Sequence, residues 1–199
     1  MSDSKPTIFI QTNHRQMIGA LVSRYSLQRN SEHAEAFDVR LMEVTAAPFM
    51  LEREGDIYLR DGDKRPWLND DLQSFTPLRF LPPELMDYQG RALVIDPDVF
   101  AAGDVFELLQ RDMNGKAILC RPKSGRKGRA GAWASSVMLL DCAQLTHWRT
   151  AENFAEMFSF ERDYMDWVSL KLEPAGSIGP LEECWNDFDH LDDGTRLLH

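Results

Sequence analysis

The amino-acid sequence predicts an α/β domain with a largely parallel sheet flanked by helices. Short apolar runs of strand length recur at residues 7–11, 92–95, 117–120 and 136–140. Segments with helical spacing fall between several of them, the alternation that builds α/β sheets. The chain has 199 residues, of which 43% are hydrophobic, so residues 1–199 are read as one domain with a substantial core.

Residues 7–11 follow Pro6 as a short apolar run and predict a buried first strand. Met17, Ile18, Leu21, Val22 and Tyr25 then repeat at helical spacing, which fades at Arg29 and Asn30. Residues 38–44 alternate Val39, Leu41 and Glu43 against Arg40, Met42 and Val44, a second strand. The charged stretch 52–74 carries Gly55, Asp61-Gly62 and Pro66, which predicts a long loop or a hairpin around Asp61-Gly62. Three prolines limit residues 76–86 to short helical turns. Residues 92–95 are the next strand. Asp104, with Glu107 three residues on, has the spacing of a capping box, so a helix is expected from 105 to about 113, ended by Asn114-Gly115. Strands at 117–120 and 136–140 bracket a basic loop, and helices are expected at 151–158 and 163–172.

A net charge of −10 and a pI near 4.9 exclude a general nucleic-acid binder, because nothing offsets phosphate repulsion over most of the surface. Cys120, Cys142 and Cys184 are far apart and form no CxxC pair, so they read as reduced core thiols in a reducing compartment. No apolar stretch approaches the roughly 20 residues needed to span a bilayer. The expectation is a cytoplasmic protein with no transmembrane segment and no nucleic-acid partner.

The stretch ALVIDPDVFAAGDVFELL carries the chemistry. An apolar strand delivers Asp96 and Asp98 to its C-terminal end, the edge where ligands bind in open α/β sheets. At i, i+2 spacing in an extended chain both side chains point the same way. Two carboxylates so placed repel unless a proton or cation lies between them. A hard divalent ion, Mg²⁺ or Mn²⁺, carrying substrate phosphates suits them, since it uses few protein carboxylates and fills its other positions with phosphate and water oxygens. The plainer reading is an Asp-Pro-Asp turn that ends a strand.

The same stretch resembles the strand, Asp-x-Asp, Gly-Asp and helix of the family 8 retaining glycosyltransferases. Three further stretches fall in that family's order: TPLRFLPPEL just upstream, and downstream ASSVMLLDCAQLTHW (similar to NAGVLLINLKKW), then WNDFD followed by TRLLH. The resemblance implies a GT-A fold, a nucleotide-sugar donor, most simply a UDP-sugar, and a saccharide or other hydroxyl acceptor. It implies that Asp96, Asp98 and His199 bind Mn²⁺ or Mg²⁺ and that Arg79 contacts the donor. It further assigns Thr12 and Asn13, at the end of the first strand, to the nucleotide.

The chain departs from the family at three places. The family's Asn-Ala-Gly is Ala134-Ser135-Ser136 here, so Ser135 and Ser136 must stand in for the asparagine at the donor sugar. The family's Asp-Gln-Asp is Tyr164-Met165-Asp166, which keeps only Asp166 as a catalytic candidate and sets Met165 where a polar group is expected. The sequence stops before the family's Gly-x-x-Lys-Pro-Trp run, as expected for a chain cut short or for a weak donor binder. Slow turnover follows, with a non-catalytic nucleotide-sugar-binding module as the alternative. Asp-x-Asp after a strand also resembles haloacid-dehalogenase-like phosphatases, but there the motif lies near the domain start and is followed by Thr or Val where Phe100 stands here. The basic residues Arg121, Lys123, Arg126, Lys127 and Arg129 read as a solvated loop, and Trp133, Trp167 and Trp185 as core or rim residues.

Overall fold

The computed structural model describes residues 5–123 and 132–199. The buried strand β1 (Thr7–Thr12) leads into helix α1 (Met17–Arg29) and strand β2 (Asp38–Glu43). After the single-turn helix α2 (Pro48–Leu51), β3 (Ile57–Arg60) and β4 (Asp63–Pro66) form a hairpin. Its turn residues Asp61 and Gly62 both have positive φ, 54° and 81°, the backbone that a tight two-residue hairpin turn requires. A 3₁₀ segment, Thr76–Phe80, and α3 (Pro82–Leu85) precede β5 (Arg91–Ile95), β6 (Phe100–Ala101) and α4 (Phe106–Leu109). There follow β7 (Ile118–Pro122), β8 (Trp133–Asp141), α5 (Thr150–Phe158), α6 (Tyr164–Val168), β9 (Ile178–Pro180) and β10 (Leu197–Leu198).

Six strands form the main sheet in the order β2-β1-β5-β8-β7-β9. β1 runs parallel to β2 and β5, and β7 parallel to β9, while β8 lies antiparallel between β5 and β7. Because side chains alternate across a strand, the central strands feed two cores. Phe9, Ala92, Val94, Met138 and Leu140 point to a face closed by aromatics from the hairpin and from α5 and α6, among them Tyr58, Trp67, Phe154 and Trp167. Ile8, Ile10, Leu93, Ile95, Val137 and Leu139 point to the other, covered by Ala20 and Leu27 of α1, Leu108 and Leu109 of α4, and Trp185. Cys120 and Cys142 are buried, and burial pushes both thiols up to about 12.

Three sequence expectations change. The α1 stripe faces outward, with Ile18 80% and Tyr25 63% exposed, while Ala20, Ser23 and Leu27 are buried. Small residues win here because α1 lies directly on backbone: Ser23 Oγ donates to Val99 O at 2.6 Å, and a Cβ on Gly19 would come within 2.8 Å of Pro97 O. The helix expected to reach residue 113 stops at Leu109. Arg91 reaches across from β5 and donates to the carbonyls of Leu109 (3.0 Å) and Arg111, acceptors that further helical turns would need. The expected helix 163–172 ends at Val168, closed by Leu170 at positive φ, 62°. The short strands β6, β9 and β10 carry too little pattern to be read from sequence.

Candidate active site

The C-terminal ends of β1 and β5 and the strand β8 meet at one edge of the sheet, where a cavity of about 510 Å³ opens. Asp96, Asp98, His199, Arg79 and Ser135 line it, with Arg60, Lys123, Tyr164 and Met165.

Asp96 follows the fully buried Ile95 and its side chain is only 18% exposed. Its Oδ1 accepts from Arg79 at 3.0 Å and, at close range, from Gln11 Nε2. Burial pushes the Asp96 carboxyl above the usual carboxylate range, against Arg79 and Gln11, which favour the charged form. Arg79, also buried, bridges Asp96 to the hydroxyl of Ser135, which in turn donates to Val168 O at 2.7 Å. Gln11 Oε1 and Arg79 Nε remain buried without a protein partner among the described residues.

His199 reaches the same point from the far end of the chain. β10 pairs antiparallel with β6, Leu198 opposite Phe100, so the next residue falls alongside Val99 and beside Asp98. His199 Nε2 lies 3.7 Å from Asp98 Oδ1. The backbone of His199 is held on both sides, its N–H donating to Asp187 O (2.8 Å) and its carbonyl accepting from Asp189 N (3.0 Å). The ring is oriented as well. Asn186, fully buried, donates its NH₂ to Ser136 Oγ (2.9 Å) and Ala134 O (3.4 Å), which turns its oxygen toward His199 Nδ1 at 3.2 Å. An Nδ1–H donated to that oxygen would leave the Nε2 lone pair on the side of Asp98, the tautomer a metal ligand needs.

Asp96, Asp98 and His199 each offer one ligand atom, all within 4.8 Å of one another. Two carboxylate oxygens and one imidazole nitrogen suit Mn²⁺ or Mg²⁺ with positions left for phosphate and water. The residues present therefore fit the implied ion.

The other expected residues fall differently. Ser136 does not line the cavity; it holds Asn186. Asp166 is also outside the lining, its carboxylate bonded by Lys171, while its neighbour Met165 faces in. Thr12 and Asn13 are buried. Asn13 donates to Asp71 O, Leu72 O and Ser74 Oγ, fixing the segment that forms one cavity wall, and lines a second cavity of about 200 Å³ with Glu43 and Val44. Of the basic residues, Arg121 pairs with Glu183 at 3.1 Å and Lys123 lines the large cavity; Arg126, Lys127 and Arg129 lie outside the described residues. Gln11, Arg60 and Asn186 are the lining and supporting residues that sequence reasoning missed. A glutamine inside an otherwise apolar strand run was the one available signal.

The mixed sheet, with paired aspartates at the C-terminal edge of a central strand and a histidine brought back beside them, is the GT-A fold of glycosyltransferases. Solved structures agree. The galactosyltransferase LgtC, in complex with donor and acceptor sugar analogues, matches with a TM-score of 0.65 and 13% identity over 98% of this chain and 86% of its own. Apo GlyE of Streptococcus pneumoniae TIGR4 gives 0.65 and 13% over 98% of this chain, which spans only 54% of GlyE. Mouse xyloside xylosyltransferase 1 gives 0.57 and 14% over 97% and 96%. No family model and no curated protein matches the sequence. At these identities the likeness establishes the fold. No helix among the described residues is long and apolar enough to cross a membrane.

Proposed function

We propose that this chain is a family 8-like glycosyltransferase that binds a UDP-sugar with Mn²⁺ or Mg²⁺ and transfers the sugar, with retention, to a hydroxyl of a saccharide acceptor. The observation that carries the reading is the convergence of Asp96, Asp98 and His199 at the floor of the 510 Å³ cavity on a GT-A sheet. When bound, the ion neutralises the diphosphate and so stabilises it as a leaving group.

The chain's own residues divide the remaining work. Asp96 and Asp98 supply the carboxylate oxygens, and Asn186 keeps the His199 lone pair directed at them. Arg79, fixed by Asp96 and Ser135, presents a guanidinium edge to the donor. The nucleoside is assigned to the end of β1, where Asn13 lines the second cavity and bonds the 71–74 segment that carries Leu72 of the large one. Asp166 pairs with Lys171 on the surface, and α6 turns Met165 toward the sugar together with Tyr164 and Val168. Calorimetry with UDP and Mn²⁺ tests the reading: Asp98→Ala removes the metal dependence of UDP binding, and unchanged metal-dependent binding refutes the assignment.

Met165 favours a second reading, a non-catalytic donor-binding module. Methionine offers no hydrogen-bond donor to a charge developing on the sugar, and loss of one such dipole costs about 10²- to 10³-fold in rate in comparable sites. In the enzyme reading, wild-type turnover is slow and Met165→Gln raises UDP-sugar hydrolysis or transfer, by up to about 10²-fold. No turnover in either form, with donor binding intact, selects the binding module.

A further inference from the structure

Besides Arg79 and Lys123, Arg60 brings a cation to the cavity lining. Arg60, the last residue of β3, lies over the Tyr164 ring at 4.7 Å from its centre. Its Nη1 donates to Tyr58 Oη at 3.3 Å and its Nη2 to Gln73 Oε1 at 3.2 Å, both neutral acceptors. The large arginines around the molecule mostly have carboxylate partners: Arg79 with Asp96, Arg111 with Glu182, Arg121 with Glu183, Arg162 with Glu156. Arg60 has no carboxylate within 4.0 Å among the described residues; Asp71 acts on it only from farther away. A guanidinium carries five N–H groups and stays charged, so several donors remain available on a side chain already held in one orientation.

Its position relative to the metal-capable cluster follows from shared neighbours. Arg79 touches Asp96, and Tyr164, under Arg60, lies close enough to feel both Arg79 and Arg60. Asp96, Arg79, Tyr164 and Arg60 all line the cavity, with Leu72, Met165 and Val168 supplying apolar surface. Arg79 is already paired with a carboxylate, Asp96, whereas Arg60 is paired with none among the described residues.

We propose that Arg60 is a specificity residue that recognises an anionic group, carboxylate or phosphate, on a sugar bound in the cavity, so that the substrate is an acidic rather than a neutral saccharide. The inference rests on the nucleotide-sugar reading above. The anionic group belongs either to the donor's sugar, as in a nucleotide-linked uronic acid, or to the acceptor, as in a uronic acid or sugar phosphate.

Calorimetry on the full chain separates these sources. With Mn²⁺ present, UDP, UDP-glucose, UDP-glucuronate and UDP-galacturonate are titrated into wild type, Arg60→Gln and Arg60→Lys. If the donor carries the charge, a UDP-uronate binds about 10- to 100-fold tighter than UDP-glucose, the scale of a charge-assisted contact. That ratio falls toward one in Arg60→Gln and is partly kept in Arg60→Lys, which retains the charge without the planar fork. If the acceptor carries it, the donors bind alike, and glucuronate or glucose 6-phosphate binds the UDP-loaded wild type more tightly than glucose, again through Arg60. Because each ratio is read within one variant, a general loss of affinity does not mimic the effect. UDP binding with no preference for an anionic over a neutral sugar in either arm overturns this proposal alone; no metal-dependent UDP binding overturns the nucleotide-sugar reading as well.

Discussion

Asn186 shows how one buried side chain sets the chemistry of another. Its amide is fully buried and its NH₂ is committed to Ser136 and Ala134, so its oxygen must face His199. An Nδ1–H donated to that oxygen would set the tautomer that binds a metal through Nε2, a supporting role for which losses of 10- to 100-fold in metal affinity are typical. Asn186→Ala is therefore expected to weaken Mn²⁺ binding about 10- to 100-fold, and Asn186→Asp, which still accepts from Nδ1, to recover most of it. Titration of free Mn²⁺ by electron paramagnetic resonance measures this; equal affinity in all three forms would show that the tautomer needs no help. Asp96 and Asp98 stood out as candidates in the sequence through the resemblance of their stretch to the glycosyltransferases, since their spacing alone left an Asp-Pro-Asp turn as the plainer reading. The roles of Ser136 and Asn186 did not, since a serine in a buried strand and an asparagine 50 residues later give no sign that they touch.

At the scale of elements, the hairpin β3–β4 was legible from Asp61-Gly62, because only residues tolerant of positive φ make so tight a turn. What the sequence could not tell is where the hairpin docks. Asp163 does this: its Oδ1 caps α6 by accepting from Met165 N at 2.7 Å, and its Oδ2 accepts from Gly62 N at 2.8 Å. One carboxylate thus joins the helix that carries Met165 to the hairpin that carries Arg60. Partial burial pushes the Asp163 carboxyl up, but the backbone N–H groups of Gly62, Asp61, Met165 and Asp166 outweigh it and hold it below the usual range. A depressed value in the folded state means stabilisation that is complete above the unfolded carboxylate's pKa, near 3.9, and that disappears as pH falls through the folded value. Asp163→Ala is expected to cost about 1 kcal/mol at pH 7, as the loss of a helix cap does, and progressively less below about pH 4. Urea unfolding of both proteins across that range gives the comparison, and a difference that holds constant down to pH 2 would assign the effect to packing. α1 misled in the opposite way: its apolar stripe is real but faces outward, because contact with the Pro97–Val99 backbone selects Gly19, Ala20 and Ser23.

Across the whole molecule, the alternation of strands and helices predicted the sheet, while the strand order depends on pairings between distant residues that local pattern does not encode. The candidate metal cluster depends on the same long-range closure, since Asp96 and Asp98 follow β5 and His199 follows β10, about 100 residues later in the chain. No unfolded chain holds these three ligands together. An ion and a nucleotide that bind them must therefore favour the folded state by RT ln(1 + [L]/Kd), about 2.7 kcal/mol at a hundredfold excess over Kd. For a domain of this length each kcal/mol raises Tm by roughly 2–4 °C, so UDP with Mn²⁺ is expected to raise it by about 5–11 °C. UDP alone or Mn²⁺ alone should give less than the pair, because each completes the other's coordination. The contribution of the closure is isolated by His199→Ala, which leaves β10 paired through Leu197 and Leu198 but removes the ligand. Differential scanning calorimetry should find the joint shift reduced in that variant to near the sum of the separate ones. An undiminished joint shift would mean that the C-terminal histidine is not part of the binding site and that the two aspartates hold the ion unaided.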